Sequence, residues 1–479
     1  MSGMGTPDLL GTYGTFTYFT DAFVPDADKF TGGRVVKVRP KNNLIRCSLD
    51  GPKNSMRTDG RGTTLEFTVR RDPWEASAKI DLQGTELIMT EGEWSEWIPV
   101  KYELMPMFAG VSGMVRLYLQ QLRPEFRLYV TPINVDPMDP SLPICNPGTY
   151  SKELSQAVGR FSTLGFPEDT KALSHGVLSE DEFLEQSRFV LEERLAGYEY
   201  QLNNFKEGFF FYYFSSIDQN CHMLWKNMDE NHPLYQPNAS QETKNAMKYM
   251  YQRMDEVLKM ALGKLDSRTT LMVMSDHGFA PFYREFNLST WLVKNGFTAL
   301  SDPSRMEDMT YFDVVDWSRT KAYAMGINGI YINMQGRDRF GSVHPQQASK
   351  VKREIISRLV QEKDPRNGKP VVVNAYDTHK IYSGPFLAVA PDIVLGYQSG
   401  YRISDESVLG KFPKELFSDR TDKWAADHCM DPSVVPGVLL SNKEVACPNP
   451  AIWDLAPTII NAFGLKVPKE MDGKPIFKV

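Results

Sequence analysis

The chain has 479 residues, a length that suits about two or three domains. Lys and Arg number 54 against 60 Asp and Glu, a net charge of −6, with 42% of residues hydrophobic and 24% charged. These values exclude disorder, collagen and coiled coil as the main architecture, and the mild acidity argues against a nucleic-acid polymer as partner.

Residues 1–20 are rich in Gly, Thr, Tyr and Phe and read as loop. Residues 31–135 carry short strand-like segments at 35–38, 64–69, 78–81, 86–89, 98–102, 115–119 and 126–131, separated by turn signals such as Asp59-Gly60 and Gln83-Gly84. That spacing predicts a β-sandwich or small barrel. Pro137, Pro140, Pro143 and Pro147 mark a linker. From about residue 150 the pattern turns to α/β. A helix is expected over 180–202 with Ser179 as its cap, then a buried strand over 209–214, a helix over 241–265 and a second buried strand over 269–275. Further helices are expected over 286–296, 346–362 and 451–463, and strands over 322–325, 330–333, 393–397 and 437–440. The alternation predicts a doubly wound, mostly parallel sheet with its ligands outside the carboxyl ends of the strands.

No stretch approaches the roughly 18 apolar residues of a membrane span. The start, MSGMGTPDLLGTYGT, has neither the basic head nor the apolar stretch of a signal peptide, and localisation stays open. Cys47, Cys145, Cys221, Cys429 and Cys447 are scattered without a CxxC pair, which suits isolated thiols better than a disulfide scaffold.

The chemistry gathers where strands are expected to end. After 209–214 comes Ser215-Ser-Ile-Asp218-Gln-Asn-Cys-His222, and after 269–274 comes Ser275-Asp276-His277-Gly278-Phe279. Asp427-His428 precedes the segment 437–440. Asp218 and His222 are four apart, so a helix would turn both to one face. Adjacent Asp276 and His277 can both reach inward from a loop. Carboxylate and neutral imidazole together suit zinc, with manganese second. His175, His344 and His379 sit in polar or Pro-flanked surroundings, and His232 reads as a turn residue. Cys221 lies inside the first motif and reads as packing.

The stretches FSSIDQNCHMLWKNMDENHPLY and VMSDHGFAPFYREFNLSTWLVKNGF, with the late Asp-His before PGVLLSNK, resemble the alkaline phosphatase superfamily, and within it the type I phosphodiesterase/nucleotide pyrophosphatase branch. The resemblance implies an alkaline-phosphatase-like α/β fold and two metal ions, usually zinc. One ion would be held by Asp218, His222 and His428, the other by Asp276 and His277. It also implies an Asp at the end of a first strand and a Thr or Ser nucleophile on the next helix, and neither is recognised before residue 30. The expected organisation is therefore a loop of the catalytic domain over 1–30, a β-sandwich-like insertion over 31–135 and an α/β phosphodiesterase-like domain over 150–479. The nucleophile would lie upstream, leaving this chain truncated and catalytically deficient. The implied activity is metal-dependent hydrolysis of phosphodiester or phosphomonoester bonds in small molecules. The alternatives are a non-catalytic metal- or partner-binding remnant and another superfamily hydrolase such as a sulfatase. Oligomeric state and substrate identity are not legible.

Overall fold

A computed structural model describes residues 14–53, 62–105, 109–306 and 311–477. It is a mixed α/β structure with several sheets. By contacts the chain divides into two compact units, Met1–Asn220 with Ala239–Met260, and Cys221–Asn238 with Ala261–Val479.

Among the described residues the first unit holds three sheets. Leu44–Lys53, Gly62–Arg71, Ser77–Leu82 and Thr85–Thr90 form a four-stranded antiparallel meander. Strand Gly62–Arg71 alternates exposed and buried residues, placing Leu65, Phe67 and Val69 in the core. A second sheet joins Asn134–Val135, Ala109–Val115 and Ile98–Met105. The third has the order Gly33–Lys37, Phe16–Thr20, Arg127–Val130, Leu117–Gln121, Glu93–Trp94.

The third sheet corrects one expectation. Part of the stretch read as loop, Phe16–Thr20, is a strand with every residue buried, parallel to Gly33–Lys37 and antiparallel to Arg127–Val130. Its aromatic and Thr residues are strong strand formers. The glycines before it disguised that signal. The earlier part of the loop reading, 1–13, lies outside the described residues.

Helix Glu180–Asn204 begins on a capping box: Ser179 Oγ accepts the Glu182 N–H, and the Glu182 carboxylate accepts the Ser179 N–H. The run 209–214 that follows belongs to no sheet among the described residues. It runs as an extended segment laid on that helix. Phe210, Tyr212 and Phe214 pack against Tyr198, Tyr212 Oη donates to the Arg194 carbonyl, and Phe209, Phe211 and Tyr213 are exposed. A uniformly aromatic run has no period to separate these two faces, so the sequence reads as a strand buried on both sides. The expected helix over 241–265 is broken into Gln241–Lys244 and Ala246–Leu262 at Asn245.

The second unit is built on Ala322–Met325, Gly329–Ile332, Ile393–Tyr397 and Val372–Asp377, a four-stranded sheet paired antiparallel in the order Ala322–Met325, Gly329–Ile332, Ile393–Tyr397, Val372–Asp377. Strand Ala280–Phe286 runs parallel to Gly400–Ile403 and antiparallel to Phe417–Asp419 and Ala426–Asp427. Met272–Met274 pairs antiparallel with Leu439–Ser441. These pairings are mostly antiparallel, unlike the mostly parallel sheet expected from strand-helix alternation. Antiparallel neighbours need no helical crossover, so alternation along the chain does not fix strand direction. Helices Leu288–Lys294 and Pro345–Leu359 cover a core of Trp291, Ile330, Ile332, Ile355, Ile393 and Leu395. Among the described residues no helix is long and apolar enough to cross a membrane.

Candidate metal centre

Asp218 and His222 stand one turn apart on helix Ser216–Leu224. His222 is buried. Its Nδ1 lies 2.8 Å from the Ala426 carbonyl, which can only accept, so Nδ1 carries the proton and Nε2 keeps its lone pair. Burial pushes the His222 pKa down to about 3, with the nearby His428 and Arg402 adding to the effect against Asp427. The ring is therefore neutral at pH 7, the form that binds a metal.

His428 comes to His222 by strand register. The short strand Ala426–Asp427 pairs with the start of Ala280–Phe286, Asp427 opposite Ala280. Continuing the same antiparallel course sets His428 beside the residues just before Ala280, among them His277 and Phe279. The His222 and His428 ring centroids are 5.1 Å apart, and those of His277 and His428 are 3.6 Å apart at 15°. Burial, then His277, holds His428 below its ordinary value.

Asp218, His222 and His428 each offer a ligand atom, and the three atoms lie within 4.8 Å of one another. One carboxylate oxygen and two imidazole nitrogens at that separation could hold a divalent metal ion. Asp276 and His277 adjoin this group. His277 Nε2 is 3.5 Å from Asp276 Oδ1, and His277 Nδ1 is 3.0 Å from the Gly278 carbonyl. Gly278 permits a close approach: its N–H donates to the Val435 carbonyl, and a Cβ there would stand 2.8 Å from the Pro436 carbonyl oxygen.

The sequence assigns no role to several supporting groups. Asp427 is buried; its Oδ2 accepts from Arg402 and from Trp424 Nε1, each at 2.9 Å. Its Oδ1 accepts the His428 and Cys429 N–H groups at 2.7 and 2.8 Å. Burial alone would raise this carboxyl, yet Arg402 first, then His222 and the hydrogen bonds, bring it down to about 2. Phe279 sets its ring 4.8, 5.5 and 5.4 Å from those of His222, His277 and His428. The signal for Phe279 was its place in the Ser-Asp-His-Gly-Phe stretch; Trp424 and Arg402 had none.

The remaining histidines do structural work. His175 stacks on Phe30, His344 accepts the Gln346 N–H at a helix start, and His379 sits beside Lys352 and Asp377. His232, read as a turn residue, is buried, with Nε2 against the Phe282 and Ala425 carbonyls. Cys221 is buried, as packing requires.

A family model described as Type I phosphodiesterase / nucleotide pyrophosphatase matches residues 135–418, more than half of the chain. The matched span contains Asp218, His222, Asp276 and His277 and ends before His428. No curated protein matches the chain.

Proposed function

The chain belongs to the type I phosphodiesterase / nucleotide pyrophosphatase family, a membership that points to phosphoester hydrolysis, and we propose that Asp218, His222 and His428 hold a catalytic divalent ion for it. The observation that carries this reading is the approach of their three ligand atoms within 4.8 Å. Asp276 and His277 belong to a second, adjoining metal position in the same proposal. Zinc suits the donor set best, with manganese second. The substrate is a small-molecule phosphodiester or phosphomonoester. We read 31–135 as an accessory β-rich segment and 150–479 as the phosphodiesterase-like part.

Each side chain has a defined task in this reading. Asp218 brings an anionic hard oxygen. His222 presents Nε2 because Ala426 holds Nδ1–H, and burial keeps the ring neutral. Asp427 fixes the backbone that carries His428 through two N–H bonds. Bound divalent metal supplies Lewis-acid stabilisation of phosphoryl oxygens and a lowered pKa for a bound hydroxyl. These residues serve as metal ligands, and none of them is a nucleophile.

The test is zinc and manganese uptake by chelator-stripped protein, followed by hydrolysis of a chromogenic phosphodiester. Uptake that falls in His222→Ala and His428→Ala is the expected result, and any metal-dependent turnover should be lost in the same variants. Equal uptake by wild type and both variants would overturn the metal assignment. Uptake without turnover would fit a chain that supplies metal ligands and no nucleophile, and equally the alternative, a metal-binding protein that does not hydrolyse.

A further inference from the structure

We infer that Trp424 is a positioning residue of the metal centre, holding the His222 ring and coupling it through Asp427 to the loop that carries His428. The inference rests on the metal reading above and deepens it.

The loop 424–429 grips His222 at successive residues. The Trp424 indole stacks on the imidazole, centroids 3.8 Å apart and planes at 28°. The Ala425 N–H donates to the His222 carbonyl at 2.6 Å. The Ala426 carbonyl takes Nδ1–H at 2.8 Å. Asp427 receives Trp424 Nε1 on one oxygen and the His428 N–H on the other. His428 is then the next ligand in the cluster.

The backbone bonds fix the His222 main chain and one ring nitrogen. They leave rotation of the ring about its Nδ1···O axis to be limited by packing. Trp424 blocks that rotation on one face, while Phe279 meets the ring edge-on at 76°. The indole N–H adds a second link, since the carboxylate it holds also orients the backbone of His428. A swing of Trp424 would therefore disturb two ligands together. Trp424 is only half-buried, so its removal opens no large hole in a core. Its contacts match the role of groups that orient metal ligands without touching the ion, whose loss costs about 10–100-fold in metal affinity.

The experiment uses cobalt(II) as probe, with affinity read by chelator competition and ligand geometry by the visible absorption band. The variants are Trp424→Ala, Trp424→Leu and Trp424→Phe, each with its metal-free unfolding midpoint. Trp424→Ala and Trp424→Leu should bind cobalt about tenfold more weakly with an altered band. Trp424→Phe keeps a stacking ring without the N–H and should recover part of the loss. Wild-type affinity and band in folded Trp424→Ala or Trp424→Leu would overturn the inference, whatever the unfolding midpoint. Should Trp424→Ala fail to fold, Trp424→Leu decides by the same readout. Failure of wild type to take up cobalt would overturn the metal reading and this inference with it; uptake by wild type that the variants leave unchanged overturns the Trp424 role alone.

Discussion

The imidazoles of His277 and His428 lie face to face, ring centroids 3.6 Å apart and planes 15° from parallel. In the proposed site these two rings serve different ions, so the stack is the seam between two metal positions. Substituting one ring should not have the same effect as substituting the other. His277→Ala should lower saturating zinc uptake from two ions per chain to one, leaving the tighter ion in place. His428→Ala should weaken that tighter ion instead, because it removes one of three ligand atoms. Equilibrium dialysis with metal analysis reads both numbers. Identical losses in the two variants would mean a single ion shared by the pair.

Gly278, next to His277, sets a stricter condition. A methyl group there would lie 2.8 Å from the Pro436 carbonyl oxygen and 3.3 Å from the Val435 carbonyl carbon, both backbone atoms. Neither can rotate away as a side-chain tip could. Gly278→Ala should push the 435–438 segment outward and strain the Gly278 N–H bond to Val435. The expected cost is about 1–3 kcal/mol of stability, the usual range for overpacking. Urea unfolding of the metal-free variant measures it, and wild-type stability would refute the close approach.

Asp427 joins Arg402, Trp424 and two backbone N–H groups in a buried hub. Asp427→Asn keeps the shape, removes the charge opposite Arg402 and turns an amide donor toward a guanidinium. Breaking one side of a buried pair costs about 3–5 kcal/mol. Asp427→Asn should therefore be among the most destabilising single changes in this unit, as chemical unfolding would show. A loss within a few tenths of a kcal/mol would show that Asp405, already 3.3 Å from Arg402 Nη2, is a sufficient partner for it.

The parts of the site that were legible from sequence share one property: their signal is local. Asp218 and His222 declare themselves because four residues make one helical turn. Outside the site, Ser179 declares a helix start in the same way, because a serine just before a helical run is a favoured cap. The Trp424 stack on His222 is a contact between segments far apart in the chain, and no spacing rule encodes it. The same holds for Arg402 and Asp427. Errors arose where a local signal was ambiguous. A run of six aromatics over 209–214 fits a two-sided strand and an extended segment laid along a helix equally well, and only the Tyr198 contacts decide. Phe16–Thr20 carries strand-forming residues, but the glycines before it mask that signal, and the burial that makes it a strand comes from tertiary structure.

Asp169, remote in sequence from the metal-binding residues, gives a pH prediction whose sign can be worked out. It is buried, accepts from Tyr129 Oη at 2.6 Å and caps a short helix through the Ala172 N–H at 2.8 Å. Burial raises its carboxyl to about 6, outweighing the hydrogen bonds from Tyr129 and Ala172 that lower it. The unfolded chain keeps the ordinary value near 3.8. Between these two values the folded state therefore binds more protons than the unfolded state, and stability falls as pH rises. The contribution is complete below about pH 3.8 and is lost as pH passes through about 6. A shift of roughly two units corresponds to up to about 3 kcal/mol. Other groups titrate in the same range, so the informative quantity is wild type minus Asp169→Asn. The amide keeps an oxygen for the Ala172 cap and cannot ionise. From pH 6 down to pH 4 that difference should move in favour of wild type, as measured by urea unfolding at each pH. A difference that stays constant across the window would show that Asp169 is already ionised in the fold, and that Tyr129 and the helix N–H stabilise the carboxylate more than burial opposes it.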